Sequence, residues 1–337
     1  CGSYGAPAAT PTAAALPDGS ALKVGLVVGS GGVNDQGFGQ LAWVGVQKAA
    51  TDMGFQVKFS AAERAPDYEK VIGEFATGGY DVIIAADPQL ADATAAKARQ
   101  YPDVKFAIVD HAYLPAKGSS SCADSVRDCY ADGGLGNVTS LMFAEEQVGF
   151  LAGVLAGGLS KAHFVCSVAN QEVAPDEGYM RSFFAGAVWQ ADTDTKILNE
   201  FMPSADPGEG KDAALGLIAK GCDVVLGVYA DGALLAAAEH NLPAFGVDVD
   251  RYDTNPEVKS TLVSSALQHV DVAVYNYLRA VAGGAAKGGI STATLHDDGV
   301  GLAPYHDWDG KIPADLKARI QQASDGIKNG SITIDLP

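Results

Sequence analysis

Residues 29–38 read GSGGVNDQGF, a glycine-rich turn followed by an Asn-Asp pair and an aromatic residue. Such a loop can cradle phosphate through its amides, but this one lacks the lysine of a P-loop and the spacing of a dinucleotide fingerprint. The glycines, Gly29 first, suit a close approach of backbone to a ligand. Asn34 and Asp35 are placed to cap the next helix, with Phe38 in its first turn. A ring there is either core packing or a flat face for a planar ligand. Asp110 in IVDH and Asp248 in FGVDVD each follow a short apolar run. There a carboxylate can accept hydrogen bonds from amides and hydroxyls, the alternative being a helix cap or loop solvation. Asp110 with His111 could act as an acid-base pair and Cys166 as a nucleophile, yet Gly-x-Ser-x-Gly and His-Glu-x-x-His are absent. The six histidines are scattered without ligand spacing, so neither a metal nor another cofactor is expected.

The elements that must position these residues repeat in a simple order. From residue 23 onward a short β-branched run is followed by a Gly- or Asp-containing loop and then by an Ala-rich stretch of helical length. Strands are predicted at 23–28, 56–60, 82–85, 105–109 and 137–139, and in a second series at 163–168, 196–201, 223–227, 244–247 and 258–263. Helices fill the intervals, with others at 271–282 and 314–328. Alternation of this kind makes two doubly wound, parallel α/β units in tandem. Ligands bind open α/β sheets at the carboxyl ends of their strands, so the cleft should be lined by loops 29–37, 86–89, 110–113, 169–178, 202–208, 229–232 and 248–252.

With 337 residues the chain is about twice the size of an average domain, which agrees with two units. Its net charge of −18 repels phosphate backbones, so nucleic acid is excluded as a partner. The most apolar stretch, 148–159, holds four glycines and is shorter than a bilayer crossing. Residues 2–21 are rich in Ala, Pro, Ser, Thr and Gly and read as a flexible tether behind Cys1. That arrangement resembles a processed lipoprotein with lipid on Cys1, in which the lipid alone would touch the membrane. Four further cysteines allow three pairings. Cys122 and Cys129 suit a clip in a polar segment, contributing about 2.5 kcal/mol by chain entropy. Cys166 and Cys222 fall in two apolar runs and could pair or stay reduced in the core. Such usage points outside the cytosol.

The segment 23–47, KVGLVVGSGGVNDQGFGQLAWVGVQ, resembles the opening of the basic membrane protein family of substrate-binding lipoproteins, whose members include purine nucleoside receptors of ABC transporters. FAEEQVGFLAGVLAGGLSK at 143–161, FGVDVD at 245–250 and VGLAPYHDWDGKIP at 300–313 agree in the same order. The resemblance implies a type I periplasmic-binding-protein fold, two Rossmann-like lobes with a hinge. One lobe would comprise 22–140 plus about 264–298, the other 141–263 plus about 299–337. It implies a monomeric receptor without enzymatic activity that closes on a nucleoside, a purine favoured, and delivers it to a permease and ATPase. Phe38 matches the residue that stacks on the base, Asp110 an acidic contact, Asp248 the acceptor of ribose hydroxyls, and Tyr229 to Gly232 a loop facing the ribose.

Three departures bear on the ligand. Gly29 stands where the family usually has Asp, Ser204 where it has a second stacking aromatic, and Gln268 where it has Lys. Tyr229 or Phe201 could supply the missing second face. The competing functions are an enzyme acting on a nucleoside or sugar through Asp110 and His111, and a sensory lobe signalling to a membrane partner.

Overall fold

The computed structural model describes residues 15–169, 174–191, 195–202 and 206–336, so Cys1 and Ser204 lie outside the described residues. Along the chain the strands are β1 (Lys23–Val28), β2 (Gln56–Ala61), β3 (Val82–Ala85), β4 (Lys105–Val109), β5 (Val138–Phe143), β6 (Phe164–Ala169), β7 (Lys196–Phe201), β8 (Val224–Val228), β9 (Ala244–Asp248), β10 (Leu262–Gln268), β11 (Gly289–Ala293) and β12 (Val300–Leu302). The helices are α1 (Phe38–Met53), α2 (Ala65–Thr77), α3 (Ala91–Gln100), α4 (Glu145–Leu159), α5 (Ala174–Ala191), α6 (Pro207–Ala219), α7 (Asp231–Glu239), α8 (Arg251–Thr254), α9 (Val270–Ala282) and α10 (Ala314–Lys328).

The strands form two six-stranded sheets, ordered β11-β5-β4-β3-β1-β2 and β12-β10-β9-β8-β6-β7. The first is parallel throughout, and the second is parallel except for the β10–β12 pair. Inner strands such as β3 (VIIA) and β8 (VVLGV) are buried at every position, as strands covered on both faces must be. The edge strands β2 and β7 are polar and largely exposed.

Helix α4 is apolar around most of its circumference because it packs on α5 as well as on the second sheet. Its glycines let the two helices approach closely: a methyl group at Gly153 would lie 2.0 Å from the Phe183 carbonyl oxygen. Part of the FLAGVLAGG motif is therefore a packing requirement.

Three crossings connect the sheets. They run from β5 to α4, from β10 to α9, and from β11 to β12. The connections hydrogen-bond one another, Ala144 N to Ala293 O and His269 N to Gly299 O, both at 2.9 Å. The first two exchanges fall after Phe143 and Gln268, later than the boundaries at 140 and 263 expected from the sequence. The second displacement has a local cause. Pro256–Val258 form a 3-10 turn, which moves the strand expected at 258–263 to Leu262–Gln268 and keeps all of it in the second sheet. The short strands β11 and β12 were not expected, because GISTA is largely exposed and VGL spans only three residues.

Disulfides join Cys122 to Cys129 and Cys166 to Cys222. No helix among the described residues is long and apolar enough to cross a membrane.

Candidate functional site

The carboxyl ends of the two sheets face each other across a cleft of about 630 Å³. From the first lobe come Gly29 after β1, Asp87 and Gln89 after β3, Asp110 after β4, and the α1 start with Asp35 and Phe38. From the second come Tyr229 after β8, Asp248 at the end of β9, and Val249 and Arg251 beyond it. Eight non-glycine residues among those described have positive φ, and four of them, Gln36, Asp110, Tyr229 and Asp248, line this cleft. Left-handed backbone at a non-glycine residue is sparsely populated, and its concentration at one cavity marks a functional site.

Asp35 builds the first wall. Its carboxylate accepts from the amides of Gly37, Gly39 and Gln40 at 2.8, 2.9 and 2.9 Å, capping α1. The Gly37 amide and two amides from the first turn of α1 engage it, so it anchors the turn that carries Phe38. The Phe38 ring is half-buried, packed on the core on one side and open to the cleft on the other. Asn34, expected at the site, belongs to an exposed 3-10 turn and does not line the cleft.

Asp248 builds the opposite wall. It is 5% exposed, and the Tyr179 hydroxyl donates to its Oδ1 at 3.0 Å. The Tyr229 hydroxyl adds a second hydrogen bond. Burial pushes its carboxyl up from 3.8 to about 6, against the opposing pull of Arg251 and the two tyrosines. Tyr179 and Tyr229 are themselves raised, first by burial and then by the surrounding carboxylates, so both stay neutral donors. Arg251 is the one cation lining the cleft among the described residues. Its Nε donates to Val247 O at 3.3 Å, and its guanidinium lies 3.6 Å from Asp231. The cleft therefore combines an aromatic plate, three aspartates from Asp87 to Asp248 and a tethered guanidinium, which suits a neutral, donor-rich ligand.

Other expected residues take different places. Gly232 is inside α7, where a methyl group would lie 1.8 Å from the Pro207 carbonyl oxygen, so helix packing and not ligand contact requires it. Gln268 lies beside the main cleft, in an adjoining cavity of about 290 Å³ shared with Gln36, Gly37, Asp248 and Val249. Its Nε2 donates to Glu145 Oε1 at 3.1 Å, while its buried Oε1 has no partner among the described residues. Phe201 packs on the core at the end of β7 and does not reach the cleft, unlike Tyr229. His111 packs edge-on against Tyr113, with ring centroids 4.8 Å apart, and burial lowers its pKa. It does not line the cleft with Asp110, and Cys166 is disulfide-bonded, so neither proposed reactive group is set up for catalysis.

Asp87, Gln89, Arg251 and Tyr179 were not singled out in the sequence. The first three fall in strand-end loops that the sequence marks as cleft-lining. Tyr179 carried no such signal, since its partner Asp248 is 69 residues away.

Residues 22–332 match the family described as ABC transporter substrate-binding protein PnrA-like. A CD4+ T-cell-stimulating antigen of Listeria innocua is 27% identical over 93% of this chain and 88% of its own. The ABC transporter nucleoside-binding protein BmpA of Lactococcus lactis is 25% identical over 93% of this chain and 89% of its own. Among solved structures, an ABC transporter system solute-binding protein from Aeropyrum pernix K1 superposes with a TM-score of 0.70 at 22% identity, covering 94% of both chains.

Proposed function

The chain belongs to the PnrA-like substrate-binding proteins of ABC transporters, a family of non-enzymatic receptors, and on that premise we propose that it captures a nucleoside, a purine nucleoside in preference, between its two lobes. The observation that carries this reading is that Phe38 and Asp248 face one cavity from opposite lobes. Phe38 stacks on the base and contributes about 1–3 kcal/mol, as aromatic contacts to bases do. Asp248, aided by Tyr229, accepts from ribose hydroxyls, and Asp110 contacts the ligand from the end of β4.

Neither wall completes the contact set alone, so ligand favours the closed form in proportion to the interactions that only closure brings together. The closed receptor then hands the nucleoside to a permease driven by an ATPase. Two disulfides support placement outside the cytosol. The relative named as a nucleoside-binding protein supports the ligand class.

Calorimetric titration with adenosine, guanosine, inosine, uridine, free bases and sugars tests the reading. Purine nucleosides should bind, and Phe38→Ala should weaken them at least about tenfold. Wild-type affinity in that variant, or binding of sugars alone, would overturn it.

A further inference from the structure

We propose that Asp87 is a specificity-determining residue of the cleft, selecting bases with N–H donors on the ring edge, and that Gly29 is the position that makes room for it. The inference deepens the nucleoside reading and rests on it.

Strands β1 and β3 are neighbours, with Val27 opposite Ala85, so Gly29 and Asp87 stand side by side two residues further on. Both line the cleft. Asp87 accepts from the Gln89 amide through Oδ1 at 2.8 Å, capping the 3-10 turn Pro88–Leu90 and holding the side chain in one orientation. Its Oδ2 is directed at Gly29, where a Cβ would stand 2.7 Å away. Any larger residue at 29 would have to expel that oxygen. Glycine at 29 and a cleft-facing carboxylate at 87 are thus one arrangement.

Phe38, Asp87 and Asp110 line the same cavity, and the proposal places the base on the Phe38 ring with an edge toward the ends of β3 and β4, where Asp87 and Asp110 stand. An ionised carboxylate only accepts hydrogen bonds. Guanine offers adjacent N1–H and 2-amino donors, and hypoxanthine offers N1–H. Adenine turns an acceptor at N1 toward the same oxygens, which an acceptor-only group repels. The site should rank guanosine at or above inosine, and both above adenosine.

The full chain is titrated with these three nucleosides as wild type, Asp87→Asn, Gly29→Ala and the double variant. Asparagine still caps the turn, so the fold is retained, but it can turn an amide donor to the ligand. Asp87→Asn should weaken guanosine at least about tenfold and adenosine far less, since a site built to pair a polar group discriminates by that pairing. Gly29→Ala should shift the same ratio by displacing Oδ2, and the double variant should be no worse than the poorer single one. An unchanged guanosine-to-adenosine ratio in Asp87→Asn, or additive losses in the double variant, would overturn the proposal. If Phe38→Ala weakens all three nucleosides while the Asp87 variants keep the ratio, Asp87 alone is misassigned. Failure of the wild type to bind any nucleoside overturns both assignments.

Discussion

The Tyr179 hydroxyl of α5 donates to Asp248 Oδ1 at 3.0 Å, joining a helix to the end of a strand 69 residues later. The bond aims a buried carboxylate at the cleft while the Tyr229 hydroxyl reaches it from the loop after β8. Asp248 is thereby held as a dry, oriented acceptor, which costs the empty protein and serves the bound one.

Ligand affinity should fall at low pH. Hydroxyl groups need the ionised acceptor, and Asp248 titrates at about 6 when the cleft is empty. Affinity measured between pH 5 and 8 should be flat at the upper end and drop as pH falls through about 6, approaching tenfold per pH unit. In Asp248→Asn the profile should lose this step, with affinity at pH 7–8 lower by at least about tenfold. A wild-type profile without the step would show that Asp248 does not hold the ligand.

The same group should lower the stability of the empty protein near neutrality. Below about pH 4 both folded and unfolded chains keep its proton, and between 3.8 and about 6 only the folded chain does, so stability declines as pH rises across that window. The gap corresponds to about 3 kcal/mol. Asp248→Asn should therefore raise the melting temperature of the empty protein at pH 7.5 by a few degrees, a gain of about 1–3 kcal/mol after the altered tyrosine bonds are counted. Thermal denaturation of both proteins without ligand checks this, and a lower melting temperature in the variant contradicts it.

Gly232→Ala should damage stability and not recognition. Its methyl group would meet the Pro207 carbonyl at 1.8 Å, forcing α6 and α7 apart at a cost of about 2–3 kcal/mol. Denaturant unfolding should show the loss, while the folded fraction binds ligand with unchanged affinity.

The two disulfides should contribute unequally. Chain entropy assigns about 2.5 kcal/mol to the bond spanning 7 residues and about 4 kcal/mol to the one spanning 56. Paired replacement of Cys166 and Cys222 by Ala should lower the unfolding free energy more than the same change at Cys122 and Cys129. Urea melts of the two variants give the comparison.

Much of the architecture was legible locally. β-branched runs alternating with Ala-rich helical stretches announced two parallel α/β units, and strand-end loops marked the walls of the cleft before any contact was known. Asp110 and Asp248 could be picked out by type and by position at the end of an apolar run, and Phe38 by its place in a first helical turn, because these are properties of a short segment. Where the neighbouring chain changed direction, legibility failed: the turn at Pro256–Val258 shifted β10, and with it the lobe boundary, beyond what periodicity alone indicates.

By itself the sequence determined the alternation of elements, the acidic, phosphate-repelling character of the chain and the motifs of its family, since each follows from local composition and order. Only the tertiary structure decided that Gly232 serves packing, that Gln268 opens on a side cavity, and that Asp87 stands against Gly29. Those relations arise from strand order and helix crossings, which bring distant loops within a few ångströms of each other. No window along the chain contains that information.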